Sequence, residues 1–419
     1  MRKNLLMILM IISVSVVTCD AATYYVVTDN VNAAEPYQSW DNAGTNIIDV
    51  VNCAMTNAGP WNVLVSNGTY YLTNQVSITN ALTIQSVNGR EVTIIDGNNY
   101  VGKPVTNRCF YLANNSAAVL DGFTLRHGYV IGDAGGVYCA AGAYVKNCRI
   151  VNCTATNIGN VSLGGGACVK GVMINCEILW NTNRNDSGGG LYVPGGGVIE
   201  NCIVASNKLY LNVAEANGAG IMLQGLISNC VIYGNTSPNA CSGGGIRISY
   251  GTVYNSLVYK NGTATTSGGG IYVYDNATLV NCTVASNIGT TGGIYIQGVG
   301  SDVDNYYNVI CYHNTGSVSS NINFNTRGFH YIYNSCIAPT NSFPTNGYYA
   351  NNVGIDPRFM NKDADDWRLQ ASSPCVNAGT NQNWMTHGVD LAGIRRILYG
   401  TVDIGAYERI NEGSIYTFY

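Results

Sequence analysis

The stretch Gly268-Gly269-Gly270-Ile271-Tyr272-Val273, followed after a short turn by Leu279-Val280-Asn281-Cys282-Thr283-Val284-Ala285-Ser286-Asn287, decides the fold. Ile271 and Val273 share one face and Tyr272 takes the other, which is the period of a β-strand. Leu191/Val193, Ile221/Leu223, Ile246/Ile248 and Ile294/Ile296 fill the same slots elsewhere in the chain. Leu279 and Cys282 both face inward only if the chain bends between them. The bend belongs at Asn281, because Asn tolerates a left-handed backbone.

Working outward, Asn281 belongs to a column with Asn147, Asn175, Asn201, Asn229, Asn255, Asn308 and Asn334, at steps of 26 to 28 residues. Asn287 belongs to a second column with Asn181, Asn207, Asn235, Asn261 and Asn314, which predicts a second bend at the same place in each coil. A fixed period in this range means stacked units wound around an apolar interior. The expected fold is all-β, a parallel β-helix, and right-handed because parallel crossovers almost always have that hand. At about 4.8 Å per coil, the eight first-column coils span roughly 34 Å. The helical spacing of Ile47, Ile48, Val51, Ala54, Met55 and Ala58 predicts an amphipathic helix within 45–58 that closes the open end of the rod.

Charged residues make up only 11% of the chain, against about 25% in a typical soluble domain. With a net charge of −4, neither nucleic acid nor anionic lipid is an expected partner. Arg2, Lys3 and the apolar run Leu5–Val17 have the form of an export signal cleaved after Ala21. Val16-Val17-Thr18-Cys19 has some lipobox character, which makes a lipoprotein the lesser alternative to secretion or surface display. After residue 21 no segment is long and apolar enough to suggest a membrane span. Cys148, Cys176, Cys202, Cys230 and Cys282 each follow a first-column Asn, with Ser256 in the same slot of one coil. Side chains at one slot of a parallel stack point the same way, so these thiols are expected to be buried and free. One sulfur per coil is not a tetrahedral cluster, and no metal or other cofactor is expected.

The helix-then-strand opening, Gly122-Phe123-Thr124-Leu125-Arg126-His127-Gly128 and the Asn-Cys coils resemble bacterial pectin-lyase-like β-helix proteins. Asp356-Pro357-Arg358-Phe359, Asp366-Trp367-Arg368-Leu369-Gln370, Ser373-Pro374, Asn377-Ala378-Gly379 and Val402-Asp403-Ile404-Gly405-Ala406-Tyr407-Glu408 resemble the choice-of-anchor Q module. The resemblance implies an exported or surface-attached chain, in a group mostly without assigned activity. The expected layout is a signal over 1–21, a cap and first coils over 22–110, regular coils over 111–355, the module over 356–410 and a tail over 411–419.

Lyases on this fold need a base beside a neutralising group or Ca²⁺, and hydrolases need paired carboxylates. Acids are sparse here. The catalytic candidates are Asp133, Arg184, Asp186, Lys208 and Glu215, in the turns before the glycine triplets, where solvated loop charge is the plainer reading. Arg126 and His127 are adjacent but read as turn residues, and Asp363, Asp365 and Asp366, though Ca²⁺-like in composition, read as part of the tail motif. The outward slot of the glycine-triplet strand runs Tyr138, Cys168, Tyr192, Met222, Arg247, Tyr272 and Tyr295. Tyr138, Tyr192, Arg247, Tyr272 and Tyr295 are the substrate-binding candidates, as a ladder for successive sugars. A second outward row, Leu179, Ile203, Ala205, Val231, Tyr233, Leu257 and Tyr259, is too apolar to be left to water, which predicts that 356–408 folds back over it. Three functions fit: a binder of extracellular polysaccharide or another surface, a lyase or hydrolase of an acidic glycan, and a structural or adhesive rod.

Overall fold

The computed structural model describes residues 22–56, 59–99, 106–157, 162–210, 217–298, 302–325, 328–339 and 343–410. The proposed signal, Cys19 and Glu215 lie outside them. The chain is an all-β parallel solenoid. Leu191–Val193, Ile221–Leu223 and Ile246–Tyr254 stack in register, Leu191 on Ile221 and Ile221 on Ile246, and the pattern continues along the rod. A second face is a sheet of 11 strands, all parallel, from Gly68–Tyr71 to Cys336–Ile337. The inward slots read from sequence are fully buried, including Val145, Met173, Ile199, Ile227, Val253 and Leu279. Each such aliphatic side chain contributes about 1.5–3 kcal/mol relative to an exposed one.

The first asparagine column forms the predicted bend. All eight residues are left-handed, with φ from 48° at Asn255 and Asn334 to 57° at Asn308. The second column does not. There the left-handed residue is the one before, Trp180, Ser206, Gly234, Lys260, Ser286 or His313, so the bend is displaced by one position from the expectation. The asparagine itself turns inward and builds a buried ladder. The Oδ1 of Asn235 accepts from both the backbone N–H (3.0 Å) and Nδ2 (2.9 Å) of Asn207, while Asn235 Nδ2 donates to Val204 O and Asn261 Oδ1, each at 2.9 Å. Asn181, Asn261 and Asn287 repeat the pattern. A non-glycine left-handed residue costs about 1–2 kcal/mol; the ladder offsets this by satisfying groups that would otherwise be buried unpaired.

The glycine triplets answer to this ladder. Their first members are left-handed, as at Gly188 (φ 71°) and Gly218 (φ 70°). Their third members pass directly over the asparagine amides, leaving no room for a Cβ. Cysteine forms a parallel series: the backbone N–H of Cys148, Cys176 and Cys202 each donates to the next sulfur at 3.4 Å, and that of Cys230 donates to Ser256 Oγ at 3.1 Å. Among the described residues, no two cysteines are bridged in this structure.

The expected helix spans Ile47–Met55 and packs against Ala22–Val26 and Trp61–Val65. Asn46 caps it by accepting from Ile48 N, and Ile47, Val50, Val51 and Ala54 are its buried face.

At the other end, the chain from 356 onward lies back over the rod. Phe359, Trp367, Leu369, Cys375 and Ile404 bury against Leu257, Ala285, Ile310 and Cys336 on the outward face of the second sheet. The covered strip begins further along the rod than Leu179 and Ile203, which stay half-buried. Four first-column asparagines form the rail for this docking. Asn255 Nδ2 donates to Val389 O (2.9 Å), Asn281 Nδ2 to Asp403 O (3.2 Å), Asn308 Nδ2 to Thr380 O (2.9 Å) and Asn334 Nδ2 to Ala378 O (3.0 Å). Arg396, fully buried, bonds Asn255 Oδ1 (3.2 Å) and Gly405 O (2.9 Å) and lies 3.2 Å from Glu408.

Candidate functional site

The outward tyrosine row exists as one continuous register line. Tyr111 pairs with Tyr138, Tyr138 with Cys168, Cys168 with Tyr192, Tyr192 with Met222, Met222 with Arg247, Arg247 with Tyr272 and Tyr272 with Tyr295. Tyr111 extends the line beyond the sequence reading. The row is less open than expected: Cys168, Met222 and Tyr272 are buried and the others are half-buried.

Parallel in-register strands force equal side chains together, so neighbouring rings stack. Tyr111 and Tyr138 have centroids 5.3 Å apart, and Tyr272 and Tyr295 5.2 Å apart. Rings stacked along the rod spend their faces on each other and turn edges and hydroxyls outward. Two hydroxyls are further fixed from the adjoining coil, with Tyr192 donating to Gln224 Oε1 and Tyr272 to Gln297 Oε1, both at 3.1 Å. Stacking thus takes up the facing sides of Tyr111 and Tyr138 and of Tyr272 and Tyr295, whereas Tyr192 stands between Cys168 and Met222.

Cations are set into it at both ends. The Arg108 guanidinium lies 5.7 Å from the Tyr111 ring centre and 5.6 Å from that of Tyr138, and Lys170 Nζ lies 5.6 Å from Tyr138. Arg247 sits over Tyr272 (5.9 Å) and Tyr274 (4.5 Å). Charges over aromatic faces in a partly desolvated setting are favourable by about 0.5–2 kcal/mol. Burial pushes Arg108 down, whereas the Tyr138 hydroxyl beside Lys170 pushes that amine up. Arg108 donates to the Asp133 backbone carbonyl at 2.6 Å, and the Asp133 carboxylate accepts from Leu163 N at 2.9 Å. Burial raises the Asp133 carboxyl, with Asp186 acting in the same direction and Leu163 N–H, Arg108 and Lys170 against it.

Of the catalytic candidates, the structure thus brings Asp133 and Asp186 near the row, and Asp186 accepts from Ser187 Oγ at 2.6 Å. Arg184 and Lys208 stay exposed and form no ion pair among the described residues. The cations acting on Asp133 are Arg108 and Lys170 instead. Sequence reasoning missed both because they lie in turns next to the repeated strands, not within the repeat. Alongside the row, an open groove of about 380 Å³ is lined by Gly196, Gln224, Leu226, Tyr250, Thr252 and Asn276.

Arg126 and His127 do more than turn the chain. Arg126 Nε lies 2.6 Å from the buried Asp96 carboxylate and His127 Nδ1 lies 3.2 Å from the same oxygen. Among the described residues, no group of three or more His, Cys, Asp or Glu side chains is placed to hold a metal ion. Nor, among those residues, is any helix long and apolar enough to cross a membrane.

No protein-family model and no curated protein matches the sequence. Among solved structures, the pectate lyase Pel9A aligns over 93% of this chain and 96% of its own, at 16% identity and a TM-score of 0.56. A rhamnogalacturonan lyase aligns at 14% identity over 84% of this chain and 96% of its own, with a TM-score of 0.40. A PL6 alginate lyase in complex with a trisaccharide aligns at 12% identity over 94% and 97%, with a TM-score of 0.39. The likeness to Pel9A and the coil topology together establish a pectin-lyase-like parallel β-helix fold.

Proposed function

We propose that this chain is an exported or surface-held β-helix that binds an acidic extracellular polysaccharide along its tyrosine row. The observation that carries the reading is the register line holding Tyr111, Tyr138, Tyr192, Tyr272 and Tyr295, with Arg247 within it and Arg108 and Lys170 beside it. Hydroxyl edges at coil spacing suit hydroxyl-rich sugars, and the guanidinium and ammonium groups suit carboxylate substituents. The C-terminal segment, with its motif resemblance to the choice-of-anchor Q module, serves in this reading as a cover for the far half of the rod.

The test is affinity electrophoresis on acidic and neutral polysaccharides, with absorbance and reducing-end assays on the same mixtures. The expected result is retardation on acidic glycans without product, abolished in Lys170→Gln/Arg247→Gln. Growth of unsaturated uronate absorbance would replace this reading with the lyase one. No retardation on any glycan would leave the structural rod.

A further inference from the structure

Cys336 differs from the ladder sulfurs in direction. Its register partner is Ile310, on the outward line of the second sheet, whereas the inward line there is Cys311 and Ile337. Cys375 approaches from the C-terminal segment, and both residues are fully buried in the cluster that joins that segment to the rod. The two thiols are in side-chain contact, which together with burial raises the Cys336 thiol well above the ordinary range. They come together from opposite sides of an interface, where Cys336 Sγ also donates to Ile355 O at 3.2 Å. The inward cysteines instead sit on coils already tied by backbone ladders, where Cys148, Cys176, Cys202 and Cys230 follow one another in a line.

We propose that Cys336 and Cys375 form a disulfide that locks the C-terminal segment onto the rod when the chain folds in an oxidising compartment. The pair gives up two protons and two electrons as the S–S bond forms. A disulfide-bearing donor accepts them by exchange and leaves as two thiols: the first attack makes a mixed disulfide with one cysteine, and the second cysteine displaces the donor. Exchange requires a reachable thiolate, so the bond forms before docking is complete and is then shielded by Trp367 and Leu369 around it. Closing the loop between the two positions constrains the undocked chain, which is where such a bond acts most strongly. The oxidising compartment rests on the export part of the proposed function, whereas refolding in a glutathione buffer tests the pair without export or glycan binding.

The full-length chain refolded with oxidised and reduced glutathione, then alkylated in denaturant and digested without reduction, provides the test by mass spectrometry. The expected product is a peptide pair joined through Cys336 and Cys375, absent after dithiothreitol. The unfolding midpoint should fall on reduction in the wild-type chain and be insensitive to reduction in Cys336→Ser and Cys375→Ser, with Cys53→Ser behaving like wild type. Recovery of both peptides fully alkylated after oxidative refolding would overturn the proposal, as would a dominant bridge within the interior, such as Cys109 with Cys153, which also touch. The peptide map needs no variant, so a variant that fails to fold does not rescue the idea.

Discussion

Gly190 lies against Asn207 with no space between them: a Cβ on the glycine would come within 2.7 Å of the asparagine Nδ2. The two repeated features of the sequence are therefore one device, the triplet making room for the ladder. Gly190→Ala should destabilise the chain by about 1–3 kcal/mol through overpacking. Asn207→Ala should cost more, since buried groups of Asn181 and Ile178 lose partners at about 1–3 kcal/mol each. Because the alanine at 207 also removes the obstruction, the double variant should be less destabilised than the sum of the singles. Urea midpoints of the four chains check this.

Ser256 shows what the cysteine slot requires. Cys202→Ser should stay within about 1 kcal/mol of wild type, because its hydroxyl still accepts from Cys176 N, whereas Cys202→Ala leaves that N–H unpaired at about 1–3 kcal/mol. Thermal unfolding in reducing buffer separates the two.

The docked segment should loosen as pH rises. Burial pushes Glu408 up to about 8 from an ordinary value of 4.5, with Asp403 and Asp390 acting the same way against Arg396. Burial also raises Asp390 and Asp403. A carboxyl raised in the folded state favours folding while protonated. Its contribution is full below about 4.5 and is lost as pH climbs through about 8. The unfolding midpoint should therefore fall between pH 5 and 8, by an amount on the order of a few kcal/mol in stability, and Glu408→Gln should flatten the profile.

A chain ending at Ile355 would bare Leu257, Ala285, Ile310 and Cys336. It should self-associate, as seen by light scattering on a sizing column. In the full chain, Trp367→Ala should cost about 3–5 kcal/mol and quench-accessibility of the remaining tryptophans should rise.

If sugars meet hydroxyl edges, Tyr192→Phe/Tyr272→Phe should weaken glycan retention several-fold while leaving the circular dichroism spectrum unchanged. Retention should also fall steeply with salt, as expected for pairing to Arg247 and Lys170. Full retention by the phenylalanine pair would show that these two hydroxyls do not make the contact.

Most of the fold was legible because the repeat prints the same rule many times: Ile271, Val273, Leu279 and Val284 need only period and position to be assigned inward. The second bend was misplaced by one residue because asparagine suits both a left-handed backbone and an amide ladder, and sequence does not say which talent is in use. At Asn281 it is the backbone; at Asn287 it is the ladder. The apolar strip at Leu257 announced its own cover, because an outward row of such residues is not left to water. The site was less legible. Arg108 and Lys170 lie outside the repeated slots, and the stacking of Tyr272 on Tyr295, which turns their faces away from solvent, follows from register rather than composition.

The ladder amides all point the same way. It is their carbonyl ends that align: from Asn181 to Asn287 each Oδ1 accepts from the previous coil, while each Nδ2 donates both forward to the next Oδ1 and back to a backbone carbonyl. Such a file of aligned dipoles gives the rod a fixed electrical polarity, its positive end toward the C-terminus, as aligned peptides do for a helix. Two of these rods lying side by side are thus not free to choose: fields of this kind favour neighbours that run in opposite directions.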